Sequence, residues 1–338
     1  MKLRGKKLIG IVLHHGIQSG SELKRYASVA EKSGFDSLWV TERYFHEETL
    51  SLLGFLAAVT TKINLGVGVI NPFTRSPSLI AMGTATLDRL SGGRFILGLG
   101  RSDKQLITGT LGLDYENSLL KLNDCMIAIR DMLASRSYGI RDDLKSINLA
   151  VSPVQNSLPV YMAAIGPKAI NLAAKKADGV ILNTYSPIDY IRRSIGIIKT
   201  ALDENGRDLK SFNISCMLPV RLTNDVSDSL INECKYRIAR ILCEKFVGEL
   251  FINEVNSTKY LSSLRQFVYE QNKLEIFKLI TDDMVGQYYV IGDQAHCIQR
   301  INEYIDSGVQ QPLLLPRLSD FINVAEKLNP KIVIDPNK

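Results

Sequence analysis

The chain has 338 residues, 45% hydrophobic and 22% charged, a balance that suits a globular enzyme and excludes a disordered or fibrous protein. Lys plus Arg total 41 against 35 Asp plus Glu, and this mild, scattered excess of +6 argues against a nucleic-acid-binding surface. The longest basic cluster, Lys2 to Lys7, reads as a solvated tail, although a modest positive field would also suit an anionic ligand. Five cysteines, Cys125, Cys216, Cys234, Cys243 and Cys297, form no C-x-x-C pair, which points to reduced thiols in the cytoplasm and to no structural metal site. Leu8 to Leu13 is too short for a signal-peptide core or a membrane span, so no membrane partner is expected.

Taken in order, the elements alternate. Leu8–Leu13 reads as strand one and Ser21–Lys32 as a helix with Leu23, Tyr26, Ala27 and Ala30 on one face, stopped by Gly34. Ser37–Val40 is strand two, Thr49–Val59 a helix, and Ile63–Val69 strand three. Ser76 caps a helix that begins at Pro77, carries Leu79, Met82, Thr86, Leu87 and Leu90 at helical spacing, and stops at Gly92-Gly93. Phe95–Leu97 is strand four. A long amphipathic helix, Asn117–Leu133, precedes an irregular polar segment that runs to about Leu158. Strand five is Pro159–Ala163, with a helix from Pro167 to Ala177. Strand six is Val180–Leu182, with a helix from Pro187 to Asn205 stopped by Gly206. Strand seven is Phe212–Val220, and Gln311–Leu315 is strand eight, after a helix from Asp293 to Ser307.

Strands alternating with helices over short connections predict a parallel sheet, and eight units predict a closed (β/α)8 TIM-type barrel of the α/β class. Between strands seven and eight, residues 227–286 read as helical throughout. We take them as an insertion on one barrel domain spanning 1–338, since no linker or repeat separates them. Barrel ligands sit at the loops that leave the strand ends, which singles out four places. His14 and His15 follow strand one, and His46 lies in the loop after strand two; a histidine near neutral pKa shuttles protons, and polar residues leaving a strand account for the pair equally well. Glu42-Arg43 follows strand two; Arg43 suits an anionic ligand or an ordinary surface ion pair. Gly98, Gly100, Ser102 and Asp103 follow strand four as an anion loop or a plain tight turn. Gly166-Pro167-Lys168 opens a helix, so that the amides of Lys168 and Ala169 face outward with the positive end of the helix dipole. Pro167 is also an ordinary first-turn proline. A dinucleotide fingerprint is rejected, because its third glycine would fall at Asp103.

Three separated blocks, GFDSLWVTERY, INLGVGVINPFTRSPSLIAMGTATLDRLSGGRFILGLGRSD and LPVYMAAIGPKAINLAAKKADGVILNT, resemble the bacterial-luciferase-like superfamily. Within it they are most similar to the coenzyme F420-dependent branch that includes 5,10-methylenetetrahydromethanopterin reductase. The resemblance implies a barrel that holds coenzyme F420, or alternatively FMN, at its C-terminal mouth and transfers a hydride to or from a small-molecule substrate. FMN would make the protein a monooxygenase; loss of activity would leave a flavin-binding relative. The resemblance further implies a cis peptide at Gly68–Val69 pressing on the ring, and places Asn71 beside it; a buried strand with glycines for close packing is the plainer reading. It sets Glu42 against the coenzyme, with Arg43 replacing a histidine, and it brings Gly98, Gly100, Gly166, Pro167 and Lys168 near the phosphate. Asn183 matches a coenzyme-facing position and is otherwise a turn residue. The reductases carry a glutamate at the end of strand one, where this chain has Val12, which means either a different substrate or a proton-donor role filled by Glu42, His14 or His15. Relatives of this kind are commonly homodimers.

Overall fold

In the computed structural model, residues 8–134, 149–252 and 257–334 are described; the basic cluster at Lys2 to Lys7 and most of the segment between Leu133 and Leu158 lie outside them. Eight parallel strands close a barrel: β1 (Gly10–Leu13), β2 (Ser37–Val40), β3 (Asn64–Val67), β4 (Phe95–Leu99), β5 (Val160–Ala164), β6 (Gly179–Leu182), β7 (Asn213–Leu222) and, after the outlying β8 (Val290–Gly292), β9 (Gln311–Leu315). β9 pairs with β7 on one side and β1 on the other, which completes the ring. The TIM-type barrel expected from the alternation is therefore the observed fold.

The helices sit outside, and several start as the sequence signals predict. α1 (Gly20–Lys32) is capped by Ser19, whose side chain accepts from the Glu22 amide. α2 (Thr49–Val59) is capped by Glu48, and α3 (Pro77–Leu90) by Ser76 with Pro77 in its first turn. α4 (Ser118–Leu133), α5 (Pro167–Lys176) and α6 (Ile188–Asp203) follow β4, β5 and β6. Between β7 and β8 the described residues hold α7 (Asp228–Cys243), α8 (Lys245–Phe251), α9 (Ser257–Tyr269), α10 (Lys273–Leu279) and α11 (Asp282–Tyr288); α12 (Gln294–Asp306) precedes β9.

Two differences have physical causes. Strand seven runs two residues past the predicted Val220, because its end pairs with β8, a strand of three residues that no periodicity could reveal. The apolar positions of α3 are also turned round. Leu79, Met82 and Leu90 are exposed, while Ile80, Ala81, Thr84 and Leu87 face the barrel together with Asp88. Asp88 is fully buried because its carboxylate accepts from the amides of Val154 and Gln155 and from the Gln155 side chain.

The inside of the barrel is filled by Val12, Trp39, Ile96, Tyr161, Met217 and Leu313, among others. Trp39 and Tyr161 stack with centroids 5.9 Å apart, and a methyl on Gly66 would lie 2.5 Å from the Trp39 ring. Below them Trp39 Nε1 and Gln311 Nε2 both donate to Ser37 Oγ, at 2.8 and 2.9 Å. The interior is thus a packed floor, and the mouth above it is the place for a site.

Candidate active site

The ends of β2, β3 and β4, neighbours in the barrel, open into a cavity of about 390 Å³. The loop after β2 contributes Glu42, Arg43 and Tyr44; the segment after β3 contributes Gly68, Val69 and Asn71; the loop after β4 contributes Ser102, Asp103 and Leu106. The Gly68–Val69 bond is cis.

Glu42 is the most consequential side chain of this cavity. It is 8% exposed, one oxygen is ion-paired with Arg75, and the other, Oε2, is buried without a hydrogen-bond partner among the described residues. Burial raises its pKa above the ordinary carboxyl value, outweighing the opposing pull of Arg75. Arg75 in turn donates to Glu48 at 2.6 Å, and Glu48 caps α2, so the guanidinium ties the site to that helix. Asn71, by contrast, is already engaged at both its side-chain nitrogen and oxygen. Its amide donates to the Tyr44 hydroxyl at 2.6 Å, and its carbonyl accepts from the amides of Phe73 and Thr74, so it holds the turn after β3.

Ser102 adopts a left-handed backbone, with φ of 59°. Asp103 accepts from the Leu106 amide at 2.8 Å and so caps a π-helical turn, Gln105–Thr110. Its carboxylate makes this loop a poor phosphate cradle. Gly98 and Gly100 do not line this cavity, and the reason is packing. A methyl on Gly98 would meet the Val67 carbonyl oxygen at 2.0 Å, and one on Gly100 would meet Val69 Cγ2 at 2.3 Å. Both glycines let β4 approach the segment that follows β3.

A second cavity, of about 330 Å³, lies across β1, β7 and β9 and shares Arg43 with the first. His14 and His15 line it. His14 Nδ1 is 3.1 Å from Thr41 Oγ1, and Arg43 Nη1 lies 3.3 Å from His15 Nε2. Since arginine only donates, a neutral His15 carries its proton on Nδ1, an atom buried without a partner among the described residues. Burial pushes the His14 pKa down to about 4, helped by His15, Arg43, Arg237 and His46. Burial and Arg43 also lower His15. The near-neutral histidine expected from sequence is therefore not what this environment produces: at neutral pH His14 is the uncharged imidazole, with one ring N–H, and not an imidazolium acid. The His46 ring stands 4.1 Å from that of His15, at the rim. Val12, where the resemblance leads one to look for an acid, is fully buried in the barrel interior.

The remaining expected residues lie elsewhere. Gly166 precedes α5, no side chain caps that helix, and Lys168 is exposed in its first turn. A methyl on Gly166 would touch the Phe246 ring of α8 at 2.5 Å. The Asn183 carbonyl accepts from Ser186 Oγ at 2.7 Å, the work of a turn residue. Sequence reasoning missed Tyr44 and Leu106 at the first cavity, Arg75 as the ion-pair partner of Glu42, and Tyr185, Arg221, Arg237, Arg240 and Arg317 at the second.

The sequence matches the family described as "Luciferase-like monooxygenase" over residues 9–311. The chain belongs to that family. This luciferase-like chain is 28% identical over 291 residues to the 5,10-methylenetetrahydromethanopterin reductase of Methanolobus tindarius, covering 86% of this chain and 88% of that one. It is 29% identical over 301 residues to the reductase of the same name from Archaeoglobus fulgidus, covering 86% and 88%. Its fold is that of the coenzyme F420-dependent tetrahydromethanopterin reductase of Methanopyrus kandleri, with a TM-score of 0.81 and 24% identity over 98% of this chain and 99% of that one.

Proposed function

We propose that this luciferase-like chain is a coenzyme F420-dependent oxidoreductase that moves a hydride between the deazaflavin and a small electrophilic substrate, a one-carbon adduct of a tetrahydropterin being the favoured class. The observation that carries the reading is Glu42, which lines the cavity that opens over Gly68 and Val69 and whose Oε2 is buried without a hydrogen-bond partner among the described residues. A ring edge bearing N–H donors satisfies that atom. The names of the Methanolobus and Archaeoglobus relatives support the reductase type.

The residues fit the coenzyme as follows. Gly68 and Val69 offer the flat wall, Glu42 accepts from the ring edge, and Arg43 guards the passage to the second cavity. The uncapped start of α5, after Gly166 and Pro167, offers the amides of Lys168 and Ala169 to a phosphate, away from the Asp103 carboxylate. When bound, the deazaflavin supplies the hydride. Of Glu42, His14 and His15, only Glu42 has its pKa raised by its surroundings, which makes it the group of the three suited to proton exchange with the substrate. His14 and His15 stay neutral and orient what lies beside them.

The same reading places the protein in the cytoplasm as a homodimer. The five cysteines are unpaired, as suits a reducing compartment. Leu79, Met82 and Leu90 on α3 are exposed apolar side chains, as is Phe55 on α2, and a second copy would cover them.

Titration of the purified protein with F420 and, separately, with FMN tests the reading. Binding of F420 in the micromolar range, with FMN at least tenfold weaker, is expected; FMN binding without F420 binding overturns it.

A further inference from the structure

We propose that the second cavity is an oxyanion site that selects a polyanionic substrate, and that one face of α7 reads the anion. Four residues of α7, Glu233, Tyr236, Arg237 and Arg240, line the cavity at spacings of three, four and seven residues, which puts them on a single helix face. The opposite face is the one that packs: Cys234, Ile238, Ala239 and Leu242 are buried. Arg221 from the end of β7, Arg317 after β9 and Arg43 after β2 complete the lining.

Five arginines thus border a cavity with one lining carboxylate, Glu233, and Arg317 occupies that carboxylate. Arg237 and Arg240 have no ion-pair partner among the described residues. Glu244, just past the helix, is a carboxylate within reach of their charge and lies near Asp103. Arg221 donates from Nη1 to the Val220 carbonyl at 2.8 Å, and its Nε is buried without a partner among the described residues. Tyr185 and Tyr289 steady the cluster, with Arg237 over the first ring at 5.8 Å and Arg221 over the second at 5.4 Å.

Like charges crowded round a cavity repel one another unless an anion is shared among them. Guanidinium groups match phosphate and carboxylate oxygens two at a time, which a diffuse surface charge does not. The field of the cluster also reaches the rest of the cavity: Arg43 and Arg237 both disfavour protonation of His14. Arg43 borders both cavities, so a substrate held by α7 keeps one end at the junction where the coenzyme is proposed to lie. The assignment of this anion as the substrate rests on the first cavity taking F420; the anion site itself does not.

The test is calorimetric titration with inorganic pyrophosphate and with citrate, on wild type, on R237A/R240A and on R237K/R240K, each with and without saturating F420. Both arginines are exposed, so the variants are expected to fold, and a far-UV dichroism spectrum checks this. Wild type should bind at least one anion, the alanine variant at least tenfold more weakly, and the lysine variant in between, with F420 affinity unchanged within twofold. Pyrophosphate without citrate assigns a phosphate-bearing substrate; citrate without pyrophosphate assigns a polycarboxylate. Absence of anion binding to wild type, equal binding by the alanine variant, or competition between anion and F420 overturns the proposal. If wild type binds the anion but fails to take F420, the coenzyme reading falls and the anion site stands.

Discussion

Replacing Gly98 with alanine sets a methyl carbon 2.0 Å from the Val67 carbonyl oxygen and 3.1 Å from Val69 Cγ1. The first neighbour is backbone of the adjacent barrel segment, so no side chain can rotate to relieve it. The strands must part, at the expense of the bonds that join Ile70 to the Gly98 carbonyl and to the Gly100 amide, both under 3 Å. Overpacking of this kind costs roughly 3 kcal/mol, and a weakened backbone bond about 1 more. At a urea slope of roughly 3 kcal/mol/M, the unfolding midpoint falls by about 1 M. Trp39 is the single tryptophan and lies fully buried inside the barrel, so its fluorescence reports the transition. Gly196→Ala is the control. That glycine is mid-helix in α6 with open space around it, and alanine there should gain about 0.5–1 kcal/mol. A Gly98→Ala midpoint within 0.2 M of wild type, by the roughly 1 M shift worked above, would refute the packing argument.

Four further outcomes follow from the site. Glu42→Gln should weaken F420 binding about tenfold, the loss of one charge-assisted hydrogen bond, in a coenzyme fluorescence titration; unchanged affinity removes Glu42 from the site. Arg75→Met leaves Glu42 buried without its partner and should cost about 3 kcal/mol in urea unfolding, of which adding Glu42→Gln restores at least half; no recovery means the ion pair is not the cause. His14 sits at about 4 in the fold against an ordinary 6.5. As pH falls through that window, the unfolded chain takes up a proton that the fold refuses, so stability is lost. His14→Asn should flatten the urea midpoint between pH 6.5 and 4, and an unaltered slope assigns the loss elsewhere. Met82→Glu on α3 should convert a dimer to a monomer in light scattering, whereas a wild-type monomer rejects the proposed interface.

The barrel was legible because buried parallel strands and capped helices each leave a local pattern, as at Ser37–Val40 or Pro77 after Ser76. Orientation within an element was less so. α3 is apolar on two faces, and the one that packs is chosen by Asp88, whose partners Val154 and Gln155 lie far along the chain. The glycines at 98 and 100 look like a phosphate loop in one dimension. Only the approach of Val67 and Val69 shows them to be spacers. Arg75 was invisible for the same reason, since its bond to Glu42 spans two barrel units. The arginine face of α7 did leave a signal. Glu233, Tyr236, Arg237 and Arg240 repeat at helical spacing opposite a run of buried residues, but only the ends of β1, β7 and β9 give that face a cavity to border.

A crystal structure of the protein with F420 tests the central claim most directly. The account predicts the deazaflavin ring in van der Waals contact with Gly68 and Val69, with a ring-edge nitrogen within hydrogen-bond distance of Glu42 Oε2. A ring bound elsewhere, with Glu42 still unpartnered, would contradict it.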